Sequence, residues 1–122
     1  MKYFVSPPEQ TDWKMDPNEF RAAVVRRWPD ASVREVTDPL STAALDVRLD
    51  LEGKPLDGML TRDGLAVALE ADVVSSAQFA RWLRSIVPSR QPLLFYDEGL
   101  TATVPLTVDT TEEQLTQPFL IN

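Results

Sequence analysis

The chain has 122 residues, of which 43% are hydrophobic and 25% are charged, and its formal net charge at pH 7 is -7. These values are typical of one globular domain with a packed core, here predicted to cover residues 1–122. The acidic balance disfavours nucleic acid as a partner, and the absence of cysteine and histidine excludes disulfides, thiol catalysis and histidine-based chemistry.

No apolar run approaches the roughly 20 residues that a bilayer-spanning helix needs. The N-terminal stretch from Met1 to Pro8 is too poor in apolar residues for a secretory signal. We therefore expect a cytoplasmic protein without a membrane partner.

The first predicted helix begins after Asp16, which can cap free backbone N–H groups, with Pro17 and Glu19 in the first turn. Pro29 ends it. Its predicted apolar stripe consists of Phe20, Ala23, Val24 and Trp28. A short strand is predicted next, over residues 32–36.

Strict alternation from Ala43 to Leu51 predicts a strand with one buried and one exposed face. The predicted buried residues are Ala43, Leu45, Val47, Leu49 and Leu51, and the predicted exposed residues are Asp46, Arg48 and Asp50. Residues 52–55 then turn the chain. A two-residue hairpin loop at Asp63-Gly64 would pair Leu60 with Val67 and Gly58 with Leu69.

The second main helix is predicted to begin at a capping box formed by Ser75 and Gln78 and to stop before Pro88. Its buried stripe is predicted to consist of Phe79, Trp82, Leu83, Ile86 and Val87.

A final hairpin is predicted around Asp97-Glu98-Gly99, between a strand over residues 93–96 and a returning strand. The returning strand alternates at Ala102, Val104, Leu106 and Val108. Because proline cannot donate a ladder hydrogen bond, Pro105 indicates an edge strand or a bulge. Thr110 and Glu113 are predicted to cap a short last helix.

This order of elements predicts an α+β fold in two layers. We expect a mostly antiparallel sheet of about six or seven strands, with two main helices packed on one face. The order of the strands in the sheet is not predicted.

Carboxylate chemistry is the main chemistry that the composition leaves open, since the glycines are isolated and form no phosphate loop. Asp46, Asp50 and Glu52 come nearest to an acidic cluster, to which Glu70 and Asp72 could add. The solvated face of a half-buried strand is the preferred explanation of the cluster, because Arg48 separates the two aspartates. We expect no catalytic residue, no metal site and no cofactor.

Three tryptophans are candidate contact residues. Trp28 and Trp82 lie at predicted core positions, whereas Trp13 either packs the first helix onto the domain or stands exposed as a contact. Six arginines are expected on outer helical faces: Arg21, Arg26, Arg27, Arg81, Arg84 and Arg90.

The leading hypothesis is a small acidic binding protein, and its sharpest form is a bacterial immunity-type inhibitor of a basic toxin. The expected partner is therefore a basic protein. The predicted contact residues are Trp13, Asp46, Asp50, Glu52, Asp57, Asp97 and Glu98.

Two alternatives stay open. One is a carboxylate- or Mg²⁺-dependent hydrolase, which would use Asp46, Asp50, Glu70 or Asp97. The other is a subunit of a larger assembly, and the sequence does not indicate the oligomeric state.

Overall fold

The computed structural model describes residues 2–120, which form one antiparallel seven-stranded sheet and three helices. The strands are β1 (Lys2–Ser6), β2 (Ser32–Glu35), β3 (Ala43–Leu51), β4 (Lys54–Thr61), β5 (Val67–Glu70), β6 (Leu94–Asp97) and β7 (Thr103–Pro105). The helices are α1 (Pro17–Arg27), α2 (Val73–Ile86) and α3 (Glu112–Leu120). The predicted α+β class is confirmed. Positions 1, 121 and 122 of the predicted domain lie outside the described residues.

The strand order is β2-β3-β4-β5-β1-β6-β7, so the N-terminal strand lies near the centre and β2 and β7 form the edges. The edge position that Pro105 indicated is confirmed, because β7 pairs with β6 alone. At the other edge, the guanidinium of Arg21 donates to the carbonyl of Val33, 3.3 Å away. Both edges therefore carry a feature that discourages pairing with a further strand.

The three helices pack on one face of the sheet, where the core lies. Phe20 and Val24 of α1, Phe79 and Leu83 of α2, and Leu115 of α3 are buried in the same cluster as the inward residues of the strands. Trp28 and Trp82 lie between α1 and α2 with ring centroids 4.8 Å apart, and both are partly buried. Both tryptophans were predicted at core positions, and both pack against the core cluster at its edge.

The alternation predicted for β3 is confirmed, since all five odd-numbered residues from Ala43 to Leu51 are buried. The predicted register of the next hairpin is also confirmed: Leu60 pairs with Val67, and Gly58 pairs with Leu69. These pairs place β4 and β5 in the sheet with their leucines toward the helices.

A turn forms at residues 52–55 and a hairpin tip at Asp63-Gly64, both as predicted, but the second is not the predicted two-residue turn. The tight turn lies at Glu52 and Gly53, which both have positive φ (52° and 83°), as a hairpin turn of this length prefers. At Asp63-Gly64 only Gly64 has positive φ. The loop here is wider, and it closes where Thr61 N–H donates to Ala66 O at 3.0 Å. The N-terminal segment packs on this loop, because Met15 N–H donates to Gly64 O at 2.9 Å.

The predicted N-cap is confirmed for α1, where Asp16 accepts from the N–H of Asn18 at 2.8 Å. For α2 the cap is Asp72, which accepts from Ser75 N–H at 2.7 Å, so the helix begins three residues earlier than a Ser75 cap implies.

At the C-terminal end the predicted cap is one residue out of place. Thr111 and Gln114 form the capping box of α3, with reciprocal hydrogen bonds of 2.9 and 3.1 Å. Thr110 instead accepts from Thr107 N–H in the preceding turn. The returning strand is also shorter than predicted, because β7 ends at Pro105 and Val108 is 63% exposed.

Candidate functional site

The face of the sheet opposite the helices is the candidate site, and we call it the open face. Successive strand residues point to opposite sides, so the open face is built from the residues that alternate with the buried ones. Cross-strand pairing aligns these residues in two rows. The charged row is Arg48, Asp57, Glu70 and Lys2, on β3, β4, β5 and β1. The apolar row is Met59, Ala68, Phe4 and Tyr96, on β4, β5, β1 and β6.

Two ion pairs fix arginines on this face. Arg48 Nε lies 2.8 Å from Asp57 Oδ1, and Arg34 Nη2 lies 2.9 Å from Asp46 Oδ2. The hydrogen bond and the negative charge of Asp57 raise the pKa of Arg48 above its usual range. Both arginine side chains are 76% exposed, so the pairs add little to folding stability and mainly set the positions of the charges.

Asp57 and Glu70 lie directly opposite each other on β4 and β5. Like charges in this position destabilise a sheet unless a cation lies nearby. Arg48 pairs with Asp57, but none of the three ion pairs within residues 2–120 includes Glu70 or its other neighbour, Lys2. The charged row thus carries two carboxylates between two cations, with Lys2 directly opposite Glu70.

The side chains of Phe4, Met59 and Tyr96 in the apolar row are partly exposed to solvent. Phe4 and Tyr96 stack with ring centroids 5.5 Å apart and an interplanar angle of 20°. The Tyr96 hydroxyl is hydrogen-bonded to Ser6 Oγ at 2.8 Å, which fixes the ring. Ala68, paired with both Phe4 and Met59, is only 8% exposed because these larger side chains flank it. The row thus offers a preformed apolar strip beside the charges.

Two open depressions extend over the rows. One, of about 440 Å³, is bounded by the side chains of both ion pairs, and the other, of about 200 Å³, lies between Lys2, Glu70 and Met59. The open face is therefore a shallow, extended surface rather than an enclosed pocket.

Five of the seven predicted contact residues lie on or beside the open face. Asp46, Asp50 and Asp57 point from it, and Glu52 lies in the turn between β3 and β4. Glu98 follows β6 at the same end of the sheet, where its N–H donates to Lys2 O at 3.1 Å.

Asp97 and Trp13 lie elsewhere. Asp97 is 4% exposed, and its carboxylate accepts from Thr101 N–H at 2.7 Å, so it holds the turn that leads to β7. Burial raises the pKa of Tyr3, and the nearby charge of Asp97 raises it further. Trp13 is partly buried and packs against the core, which is the first of the two roles considered for it.

The sequence reasoning missed the apolar row and named Glu70 only as a possible additional carboxylate. Phe4 and Tyr96 lie in continuous apolar runs of the sequence, 3–5 and 93–96, so no alternation assigns them to either face. Their alignment with Met59 and Ala68 also depends on the strand order, which no local pattern carries.

The expectation that Arg84 lies on an outer helical face was wrong. Arg84 is 3% exposed, and its guanidinium donates to the carbonyls of Gln91 at 2.7 Å, of Leu106 at 3.3 Å, and of Val87 and Pro88. Burial without an acidic partner lowers the pKa of Arg84. Its role is to tie the end of α2 to the segment before β6.

Within residues 2–120 no three His, Cys, Asp or Glu side chains are grouped so that they could hold a metal ion. None of the helices in the same range is long and apolar enough to cross a membrane. Comparisons with protein-family models, with curated proteins and with solved structures find no match to this chain.

Proposed function

We propose that the protein is a non-enzymatic binding protein whose open face binds a basic protein, as an immunity-type inhibitor binds a basic toxin. The observation that carries this proposal is a group of carboxylates at one end of the open face that form no ion pair within residues 2–120, beside a partly exposed apolar strip. Basic side chains from a partner would pair with these carboxylates, and the strip would supply apolar contact.

The balance of free charges at this end of the sheet supports the same proposal. Arg48 is tied to Asp57, and Lys54 to Asp72 at 3.3 Å. Four carboxylates at this end belong to none of the ion pairs found in residues 2–120: Asp50, Glu52, Glu70 and Glu98. An approaching cationic surface therefore meets carboxylates that are not already neutralised.

For the hydrolase alternative, Asp57 and Glu70 are two carboxylates that face each other, but they lie on a shallow open face rather than in an enclosed pocket. Asp46 is tied to an arginine, and the carboxylate of Asp97 is used to hold a turn. A general acid and base pair would need two carboxyls that converge in a concave pocket with separated pKa values.

The test combines partner capture with kinetics. Proteins of the native source that bind the immobilised chain would be identified, purified and checked for basic character, and association would then be followed by biolayer interferometry. We expect the triple variant D50N/E52Q/E70Q to slow association by about tenfold, because charge complementarity acts mainly on the association rate. Raising the salt concentration from about 0.05 M to 0.5 M should slow the wild type similarly.

The matched control is D109N/E112Q/E113Q, which removes three negative charges from the α3 end of the chain. It should retain most of the wild-type association rate, because these residues lie away from the open face. An acidic partner, or equal effects of the two triple variants, would contradict the proposal.

A further inference from the structure

We infer that Leu100, in the loop between β6 and β7, is an apolar anchor that inserts into an apolar pocket of the basic partner. This inference rests on the proposed function and names the chemistry of the contact on both sides. We call residues 98–101 the tip loop. It lies at the end of the sheet that carries the carboxylates outside ion pairs, and Glu98 belongs to both.

Leu100 has a backbone conformation that folding alone does not favour. Its φ is 53°, in the left-handed region that glycine adopts without steric cost. A glycine is present one position earlier, but Gly99 does not have positive φ. Leu100 is also 67% exposed, so it gains little from burial in the fold. Neither backbone energy nor burial therefore favours a leucine at this position, and such strain is characteristic of functional sites.

The tip loop is fixed on both sides of Leu100. The carboxylate of Asp97, a residue that is 4% exposed, accepts from Thr101 N–H at 2.7 Å. Leu100 N–H donates to Asp97 O at 3.1 Å, and Glu98 N–H donates to Lys2 O at 3.1 Å. These bonds position the leucine before a partner arrives. A preformed contact loses less conformational entropy on binding, which suits an anchor residue.

The charges around the tip loop select the kind of pocket that receives Leu100. Three carboxylates lie at the ends of β5 and β6, on Glu70, Asp97 and Glu98, and none belongs to an ion pair of residues 2–120. Lys2, on β1 between these strands, offsets one of them. The remaining negative charge favours a pocket rimmed by lysine or arginine. It disfavours a second copy of this chain, because each copy carries a net charge of -7.

The probe is a cyclodextrin with amino groups around its rim, since it presents an apolar cavity inside a ring of positive charge. Its control is the uncharged parent cyclodextrin. Both would be titrated into the ¹⁵N-labelled full chain. We expect the amino form to shift the amide signals of Glu98 and Leu100 more than that of Leu40, although Leu40 is 91% exposed. The uncharged form should bind at Leu100 at least about threefold more weakly.

The purified basic partner tests the anchor itself. L100A should raise its dissociation rate by at least about tenfold, because apolar surface buried in the complex is lost. The association rate should stay within about twofold of the wild type, since no charge changes. The matched control is L40A, which truncates a more exposed leucine between β2 and β3, at the other end of the sheet. It should leave both rates within about twofold of the wild type.

L100G separates a binding role from a structural one. Glycine adopts a φ of 53° without strain, so L100G should raise the urea midpoint of unfolding while it weakens partner binding as L100A does. A leucine that packs for stability would give a lower midpoint when it is removed. The amide spectra of the free variants would verify that they are folded.

Equal amide shifts at Leu100 and Leu40, equal effects of L100A and L40A on dissociation, or a lower urea midpoint of L100G would overturn the inference. If L100A leaves dissociation unchanged while D50N/E52Q/E70Q still slows association, the anchor inference is wrong and the proposed function stands. If the triple variant has no effect on association, the proposed function is wrong and the anchor inference fails with it.

Discussion

Replacing Arg84 by methionine should be among the most destabilising single changes in this chain. The methionine keeps much of the apolar stem but removes the guanidinium, which donates to four backbone carbonyls. No acidic side chain within residues 2–120 pairs with Arg84. The change in the free energy of unfolding therefore comes from the four carbonyls that lose a donor and from the desolvation of the arginine itself.

The expected magnitude follows from which carbonyls can regain water. The carbonyls of Val87, Gln91 and Leu106 belong to buried residues, and leaving each unsatisfied costs about 1–3 kcal/mol. Pro88 is exposed and its carbonyl can be hydrated in the variant. Removing the buried charge returns part of the loss, so we expect R84M to lower the free energy of unfolding by about 3 kcal/mol.

Urea unfolding followed by tryptophan fluorescence would measure this loss, because Trp82 lies on the same helix. R84K should lose somewhat less, since an ammonium keeps the charge but offers fewer donors. The control R81M changes an exposed arginine of α2 and should stay within about 0.5 kcal/mol of the wild type. If R84M lost less than about 1 kcal/mol, the carbonyl contacts would not hold the end of α2 as argued.

Two further stability predictions concern backbone conformation and a helix cap. G64A should destabilise the protein by about 2–4 kcal/mol, because φ is 74° and a Cβ would lie 2.8 Å from Met15 O. G53A should cost only about 1 kcal/mol, since φ is 83° but no atom lies within 4 Å; equal losses in urea unfolding would contradict the clash argument. The hydrogen bond from Ser75 N–H lowers the pKa of Asp72. The ionised carboxylate therefore stabilises the fold fully above its unfolded pKa of about 3.9, and this stabilisation is lost as the pH falls through the lower folded pKa. D72N should therefore be less stable than the wild type at pH 7 and nearly as stable as the wild type near pH 2. The difference in the free energy of unfolding at pH 7 should be below about 1 kcal/mol, because the Asp72 side chain is 43% exposed. A difference that did not change with pH would contradict this account.

Elements with a strong local pattern were predictable from the sequence. β3 has five apolar residues in strict alternation, and its buried face was correct at every position. The register of β4 and β5 also followed, because moving either strand by one residue would turn its leucines to the solvent. The Asp16 cap was identified because its hydrogen bonds involve only the next few residues.

The errors occurred where tertiary contacts decide the local structure. Asp63-Gly64 lies at a hairpin tip as predicted, but Met15 packs on this loop, which is wider than the predicted two-residue turn. Arg84 was assigned to the surface because an arginine is rarely buried without an acidic partner. The four carbonyls around it come from the segment after α2 and from Leu106 after β7, and no pattern within the helix encodes that arrangement.

The candidate site shows the same division between local and global information. Alternation places Asp46, Asp50 and Asp57 on an outer face, but it does not show which strands are neighbours. The insertion of β1 between β5 and β6 is what brings Phe4 beside Ala68 and Tyr96, and Lys2 beside Glu70. A strand order with β1 at an edge would separate the apolar row into unconnected residues and leave ordinary exposed charges. The proposed binding surface therefore depends on the position of the N-terminal strand more than on the total charge of the chain.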